Sequence, residues 1–214
     1  MKLLVLGASG RTGQHIVAQA LSRGHTVTAL VRDPGKITAR DGLTLIQGTP
    51  TNAADMAGAV GDTDAILVAL NNPRASDAPW AKPLSSDKIL TQVAQNIAAL
   101  GKKRVVFLSA IGVGDSLAET AWIMRMLIKH TNMKHAYGDH NTAEQAFRAS
   151  DADWTLVRAM GLSNSDKEKQ LIVGTPTSPK PGMMVRRSAV AGFMLDCAEN
   201  ASHIHETPVV SEKA

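Results

Sequence analysis

Lys2-Leu3-Leu4-Val5-Leu6-Gly7-Ala8-Ser9-Gly10-Arg11-Thr12-Gly13 is the stretch from which the rest of the chain is read. The run up to Leu6 is apolar after Lys2 and stops at Gly7, the pattern of a strand buried on both faces. Glycine then recurs at every third position, Gly7, Gly10 and Gly13. A helical run follows, with Ile16, Val17, Ala20 and Leu21 on one face and Gly24 as its stop. A strand, a glycine turn and a helix in that order have a physical use. The first glycine permits the tight turn, the second lets backbone approach a bulky anion, and the third lets the helix lie close to the strand. The unpaired N–H groups of the helix start then hold the anion's oxygens. The expected ligand is a nucleotide pyrophosphate, held by Gly7, Ser9, Gly10, Arg11, Thr12 and Gly13.

Working outward, strand and helix alternate. Strands are expected at Thr26 to Val31, Leu43 to Ile46, Ala65 to Leu70, Arg104 to Leu108 and Trp154 to Val157, with shorter ones at Gln170 to Val173 and Pro208 to Val210. Asn52 is placed to cap a helix ending near Val60, and a longer helix runs from about Ser86 to Leu100. Pro73, Pro79 and Pro83 mark a loop between them. Leu117 to Ala149 is read as helical, broken near Thr131-Asn132 and again near Gly138-Asp139, and a last helix covers Ser188 to Glu199. Strands joined through helices predict an α/β Rossmann fold, a parallel sheet with helices on both faces. Residues 1–214 are read as one domain, with the substrate-binding portion mainly in 159–214.

Composition excludes several alternatives. The chain has 23 Lys and Arg against 19 Asp and Glu, a formal charge of +4, and the basic residues are scattered apart from Lys102-Lys103-Arg104 and Arg186-Arg187. No basic stripe is interleaved with aromatics, so nucleic acid is not the expected partner. No apolar stretch has the length of a membrane span. The single cysteine, Cys197, lies in an apolar helical run and is read as packing. Met1 leads directly into the first strand, which predicts no secretory leader and a cytoplasmic setting. His203 and His205 lack further ligands nearby, so no metal site is expected. A homodimer is one oligomeric state left open.

The end of the second strand bears on which dinucleotide binds. A carboxylate there suits a ribose hydroxyl, whereas Val31-Arg32-Asp33-Pro34 places a guanidinium, which can grip a 2′-phosphate through paired charged hydrogen bonds. NADP(H) is therefore expected over NAD(H). Asp33 competes with this reading, either by serving a 2′-hydroxyl or by pairing with Arg32. Arg11 is a second candidate for the phosphates.

Seven segments in order resemble the atypical short-chain dehydrogenase/reductases of the NAD(P)H-binding, NmrA-like group, and its flavin-reductase-like members in particular. They are Leu6 to Gly13, Val27 to Asp33, Asp64 to Val68, Arg104 to Ala110, Ala143 to Phe147, Asp153 to Arg158 and Ser188 to Met194. The resemblance implies a hydride donor bound across the carboxyl ends of the strands. It implies Ser109 beside the nicotinamide, Asn71 and Asn72 along the cofactor ribose, and Arg158 to Leu162 as the loop over the nicotinamide. Gly48-Thr49 departs from the group's usual Gly-Asp, and Arg158-Ala159 from its Arg-Pro. The Tyr-x-x-x-Lys pair of ordinary short-chain reductases is absent: Tyr137 is followed by Asn141, and His140 fills the lysine slot as counted from Glu144.

That absence shapes the expected chemistry. Tyrosine normally gives a proton to a forming alkoxide, with lysine lowering its pKa. Loss of such a general acid costs roughly 10²–10⁴-fold on an isolated carbonyl. An acceptor that delocalises the incoming charge suffers less. The expectation is an NADPH-dependent oxidoreductase acting on a quinone, a flavin or a tetrapyrrole-like small molecule. Ser109, Tyr137 and His140 are its candidate catalytic residues. The alternative is a non-catalytic NADP(H)-binding redox sensor. Trp80 is a lid or a loop anchor, and Trp122, Met124 and Met126 are packing or pocket wall.

Overall fold

The computed structural model describes residues 1–76, 78–85 and 88–213. In chain order the elements are β1 (Lys2–Leu6), α1 (Arg11–Ser22), β2 (Thr26–Val31), β3 (Leu43–Gln47), α2 (Ala53–Val60), β4 (Ala65–Val68), α3 (Ile89–Ala98), β5 (Arg104–Ala110), α4 (Trp122–His130), α5 (Met133–Arg148), β6 (Asp153–Ala159), β7 (Gly161–Ser163), β8 (Leu171–Gly174), β9 (Met184–Arg186), α6 (Arg187–Glu199) and β10 (Val209–Glu212). Short 3₁₀ turns occupy Pro34–Lys36 and Gly114–Leu117. The sequence-predicted start of the third helix at Ser86 lies outside the described residues.

Eight strands form one sheet in the order β3-β2-β1-β4-β5-β6-β10-β8, parallel except for β8 against β10. The order reverses between β1 and β4, the crevice where open α/β sheets take ligands. Strand alternation splits the core into two layers. Leu3, Val5, Val106 and Leu108 face α1 and α6, with Ile16, Ala20, Val190 and Met194. Leu4, Leu6, Val105 and Phe107 face α2, α3 and α5, with Met56, Val93, Ile97 and Phe147. Both faces are covered, which is why β1 and β4 read as unbroken apolar runs. Cys197 is fully buried in the first layer, and burial pushes its thiol up to about 11.

Asn52 caps α2 as the sequence indicated, its side-chain oxygen accepting from Ala54 N and Asp55 N at 2.9 and 3.1 Å. The long predicted helix from Leu117 needs correction. Residues 118–121 are not helical, and the helix proper begins at Trp122. The break at Thr131-Asn132 is present, but α5 runs without interruption through Gly138. A mid-helix glycine costs roughly 1 kcal/mol. Burial of Ala136, His140, Ala143, Glu144 and Phe147 along one face of α5 outweighs that cost. Asp139 holds α5 to its neighbour as well. Its carboxylate accepts from Leu90 N, Thr91 N and Thr91 Oγ1 at 2.8, 2.9 and 2.6 Å and so caps α3, which has no side-chain cap of its own. Beyond β6 the chain divides. β8, α6 and β10 complete the main sheet and its first layer, while β7 pairs with β9 in a separate two-stranded ribbon. That ribbon was invisible in the sequence, because each strand is only three residues long.

Candidate active site

The glycine loop lies at the carboxyl end of β1, at the switch point. Gly7 has φ +90°, and a Cβ there would collide with the Ala69 carbonyl beyond β4. A Cβ on Gly13 would collide with the Gly7 carbonyl, so the close seat of α1 on the loop requires glycine. Gly10 is different. Its φ of −77° suits any residue, and a Cβ would meet the Gly7 oxygen at 3.1 Å, which a few tenths of an ångström would relieve. The fold demands Gly7 and Gly13 far more than Gly10. Gly10 is also the N-cap of α1, where no side chain caps the helix and no acidic residue lies in the first turn. The helical ladder starts at Gln14 N, which donates to the Gly10 oxygen. The first-turn amides therefore lie beside an open backbone position, the cradle a pyrophosphate requires. Ser9 and Arg11 are exposed at its rim, and Thr12 is buried.

Arg32 lies just past β2, exposed, and its side chain forms no hydrogen bond or ion pair among the described residues. Asp33 does not pair with it. Its side chain caps the following 3₁₀ turn, accepting from Gly35 N at 3.1 Å, and lies 3.5 Å from Lys36 Nζ. The local competitor for Arg32 is thus engaged elsewhere.

A buried polar network lies at the carboxyl ends of β5 and β6. Ser109 and Arg158 are register partners and both face α5. Ser109 Oγ donates to Glu144 Oε1 at 2.6 Å. Arg158 Nε and Nη2 donate to the two Glu144 oxygens at 3.2 and 2.6 Å, and Nη2 also donates to Asp115 Oδ1 at 2.5 Å. Burial works against the Arg158 charge, but Glu144 and Asp115 outweigh it and hold the guanidinium above its usual range. Burial likewise works against the Asp115 carboxylate, and Arg158 outweighs it, so that group stays below the usual carboxylate range. The Ser109 proton is committed to Glu144, which leaves the serine oxygen able to accept but not to donate. Arg158 is 1% exposed and ties β6 to α5 and to the turn at Gly114–Leu117.

Tyr137 and His140 share α5 with Glu144. Tyr137 is half-buried against the loop after β5, where a Cβ on Gly112 would lie 3.3 Å from its ring. Burial raises the phenol above its ordinary value, and Arg74 opposes the shift. His140 is buried edge-on to Phe107, with ring centroids 5.8 Å apart. Its Nδ1 has no hydrogen-bond partner among the described residues. Burial pulls its pKa down to about 4, against the opposing charges of Glu144 and Asp139. His140 is therefore neutral at physiological pH and cannot stand in for a lysine cation. Asn71 is exposed after β4, its side-chain oxygen accepting from Asn72 N at 2.8 Å, while the Asn72 side-chain oxygen is buried without a partner among the described residues. Trp80 is exposed, and its carbonyl accepts from Asn132 at 2.9 Å.

Glu144 and Asp115 are the participants that sequence reasoning did not single out. Tyr137, His140 and Glu144 fall on one helical stripe at i, i+3 and i+7, a signal masked by the expected break at Gly138. Asp115 lies 43 residues from Arg158 and left no such trace.

A model of a protein family described as NAD(P)H-binding matches residues 7–201. The chain belongs to the NAD(P)H-binding family. Among relatives within reach by sequence, the photosystem II assembly factor Ycf39 of Synechocystis sp. is 27% identical over 164 residues, 76% of this chain and 45% of that protein. A (4-alkanoyl-5-oxo-2,5-dihydrofuran-3-yl)methyl phosphate reductase of Streptomyces griseus is 28% identical over 157 residues, 73% of this chain and 46% of that protein. The matched part thus spans less than half the length of either relative. Among solved structures, a wide-type short-chain dehydrogenase/reductase from Veillonella parvula in complex with NADP superposes with a TM-score of 0.77 at 18% identity, covering 100% of this chain and 95% of that one. ChuY, an anaerobilin reductase from Escherichia coli O157:H7, superposes with a TM-score of 0.75 at 19% identity, covering 99% and 97%. These likenesses establish that the NAD(P)H-binding family's Rossmann fold extends over the whole chain. Among the described residues no helix is long and apolar enough to cross a membrane, and no cluster of three or more His, Cys, Asp or Glu could hold a metal ion.

Proposed function

We propose that this protein is an NADPH-dependent oxidoreductase that reduces a conjugated small-molecule acceptor, such as a quinone, a flavin or a linear tetrapyrrole. The observation that carries the reading is a glycine-loop cradle at the carboxyl end of β1 together with a stripe of α5 on which a buried, neutral His140 stands where a lysine cation would be expected. Gly10 and the first-turn amides of α1 hold the pyrophosphate, with Ser9, Arg11 and Thr12 at its edges. Arg32, free of Asp33, takes the 2′-phosphate and selects NADP(H) over NAD(H). Asn71 serves the ribose. Bound NADPH supplies the hydride.

The protein's own groups then decide which acceptors can use it. Tyr137 has a raised pKa and a neutral neighbour in His140, so its phenol stays protonated and is a weak acid. Ser109 donates to Glu144 and so positions without protonating. Arg158 and Glu144 fix Ser109 from behind and hold the turn at Gly114–Leu117 in place. Proton delivery to a localised alkoxide is therefore poor, while an acceptor that spreads the charge over a ring system does not depend on it. The last third of the chain, mainly residues 159–214, is assigned to the substrate-binding portion and includes the ribbon of β7 and β9. Reductases among the relatives are consistent with this reading.

Consumption of NADPH across quinones, free flavin and biliverdin, set against simple aldehydes and ketones, tests it. Turnover with members of the first group and little with the second is expected. Faster turnover of simple ketones than of every conjugated acceptor would overturn it.

A further inference from the structure

A groove of about 590 Å³ lies between the turn after β5 and helix α4, outside the glycine loop. One wall is Gly114, Asp115, Leu117 and Ala118, and the other is a single stripe of α4: Trp122, Arg125, Met126 and Lys129, at i, i+3, i+4 and i+7. The helix is anchored through Ile128, which is off the stripe and buried against Gly112. Trp122 is 66% exposed and Met126 49%, so the stripe is not packing. Leaving a tryptophan and a methionine in water is unfavourable unless something covers them.

The groove's chemistry is specific. Trp122 and Met126 offer a flat π face and a polarisable sulfur, both suited to a planar aromatic ring. Arg125 and Lys129 stand one turn apart beside them and pair with no carboxylate among the described residues; Arg125 donates only to the Ala118 carbonyl, at 2.8 Å. The one carboxylate in the lining, Asp115, accepts from Arg158 at 2.5 Å, a cation it shares with Glu144, and is approached by Arg148 at 3.9 Å. The volume falls within the roughly 300–1,000 Å³ of small-molecule sites.

We infer that this groove binds a planar aromatic molecule carrying a phosphate, sulfonate or carboxylate group, the ring on Trp122 and Met126 and the anion on Arg125 and Lys129. The groove shares the Gly114–Leu117 turn, and through Asp115 the Arg158–Glu144–Ser109 network, with the candidate active site. It therefore adds a preference for anionic molecules among the conjugated acceptors, a step that rests on the reductase reading.

FMN and riboflavin make a matched pair of probes, identical in ring system and different in the phosphate. Their binding is read by quenching of flavin fluorescence, with saturating NADP⁺ present to occupy the dinucleotide cradle and no NADPH. FMN is expected to bind roughly fivefold to tenfold tighter than riboflavin, as two exposed charge pairs would give. The difference should shrink in high salt. Arg125→Glu combined with Lys129→Glu should erase the FMN advantage while leaving riboflavin binding unchanged, and Trp122→Ala should weaken both. All three positions are on the outer face of α4, so NADP⁺ affinity, measured alongside, should not move. Equal affinities for the two flavins, or an FMN affinity untouched by charge reversal, would overturn the proposal. Because binding is read without turnover, a failure to consume NADPH with any acceptor would count against the reductase reading and not against the groove.

Discussion

His140 should make the stability of the apoprotein depend on pH in a defined direction. Its pKa is about 4 in the folded chain, against 6.5 for a free imidazole, and the dominant cause is burial beside Phe107. Below pH 6.5 the unfolded chain takes up a proton that the folded chain refuses, so falling pH favours unfolding. Each unit of difference is worth about 1.4 kcal/mol, which gives a loss of about 2 kcal/mol between pH 7.5 and 5 and about 3 kcal/mol by pH 4. Replacing the ring with one that cannot titrate, His140→Phe, removes this contribution and keeps an aromatic against Phe107. Urea unfolding of both proteins at several pH values separates His140 from the carboxylates, which titrate alike in the two. The difference in unfolding free energy should open in favour of His140→Phe by about 2 kcal/mol at pH 5 relative to pH 7.5. Parallel curves would mean that His140 protonates readily in the folded state, and the claim that a neutral imidazole fills the lysine slot would fall.

Arg32→Ala should reduce the preference for NADPH over NADH to near unity, because the guanidinium is the only 2′-phosphate ligand proposed; calorimetry with both cofactors reads it. Gly10→Val should fold with little loss of stability yet bind dinucleotide weakly, whereas Gly13→Val should fail to fold, since its side chain meets the Gly7 carbonyl; circular dichroism and cofactor titration distinguish the two. Arg158→Met leaves Glu144 buried with one remaining donor, Ser109, and should cost roughly 3–5 kcal/mol in denaturant unfolding. Ser109→Ala removes a single hydrogen bond to Glu144 and should cost only about 0.5–1.5 kcal/mol, with a moderate fall in turnover.

The beginning of the fold was legible because its constraints are local. Gly7 and Gly13 are forced by backbone that lies within a few residues or on the adjoining strand, and Asn52 caps the helix it precedes. The two-faced burial of β1 and β4 is written in their continuous apolar runs. Of the candidate site residues, Arg32, Ser109 and Arg158 could be named from the sequence because each follows an apolar strand run, and Tyr137 and His140 from their spacing to Glu144. The polar network was not legible, because Glu144 and Asp115 reach Arg158 from different elements, and the expected break at Gly138 hid that Tyr137, His140 and Glu144 lie along one continuous helix. A glycine inside a helix weakens it by an amount that tertiary packing easily exceeds, and a single sequence does not display that packing. The antiparallel direction of β8 was hidden for a related reason, since strand direction follows from the route of the connection and not from the four residues of the strand.

Above all, the protein should reduce acceptors able to spread the incoming charge and fail on those that need a proton in step. Naphthoquinone and tetralone share a fused bicyclic skeleton but differ in that respect, so the ratio of their kcat/KM values with NADPH tests the point most directly. A ratio of at least about 100 in favour of naphthoquinone is expected, the lower bound of what a general acid contributes. Comparable values for the two, or a preference for tetralone, would contradict it and show that a competent acid operates in the site.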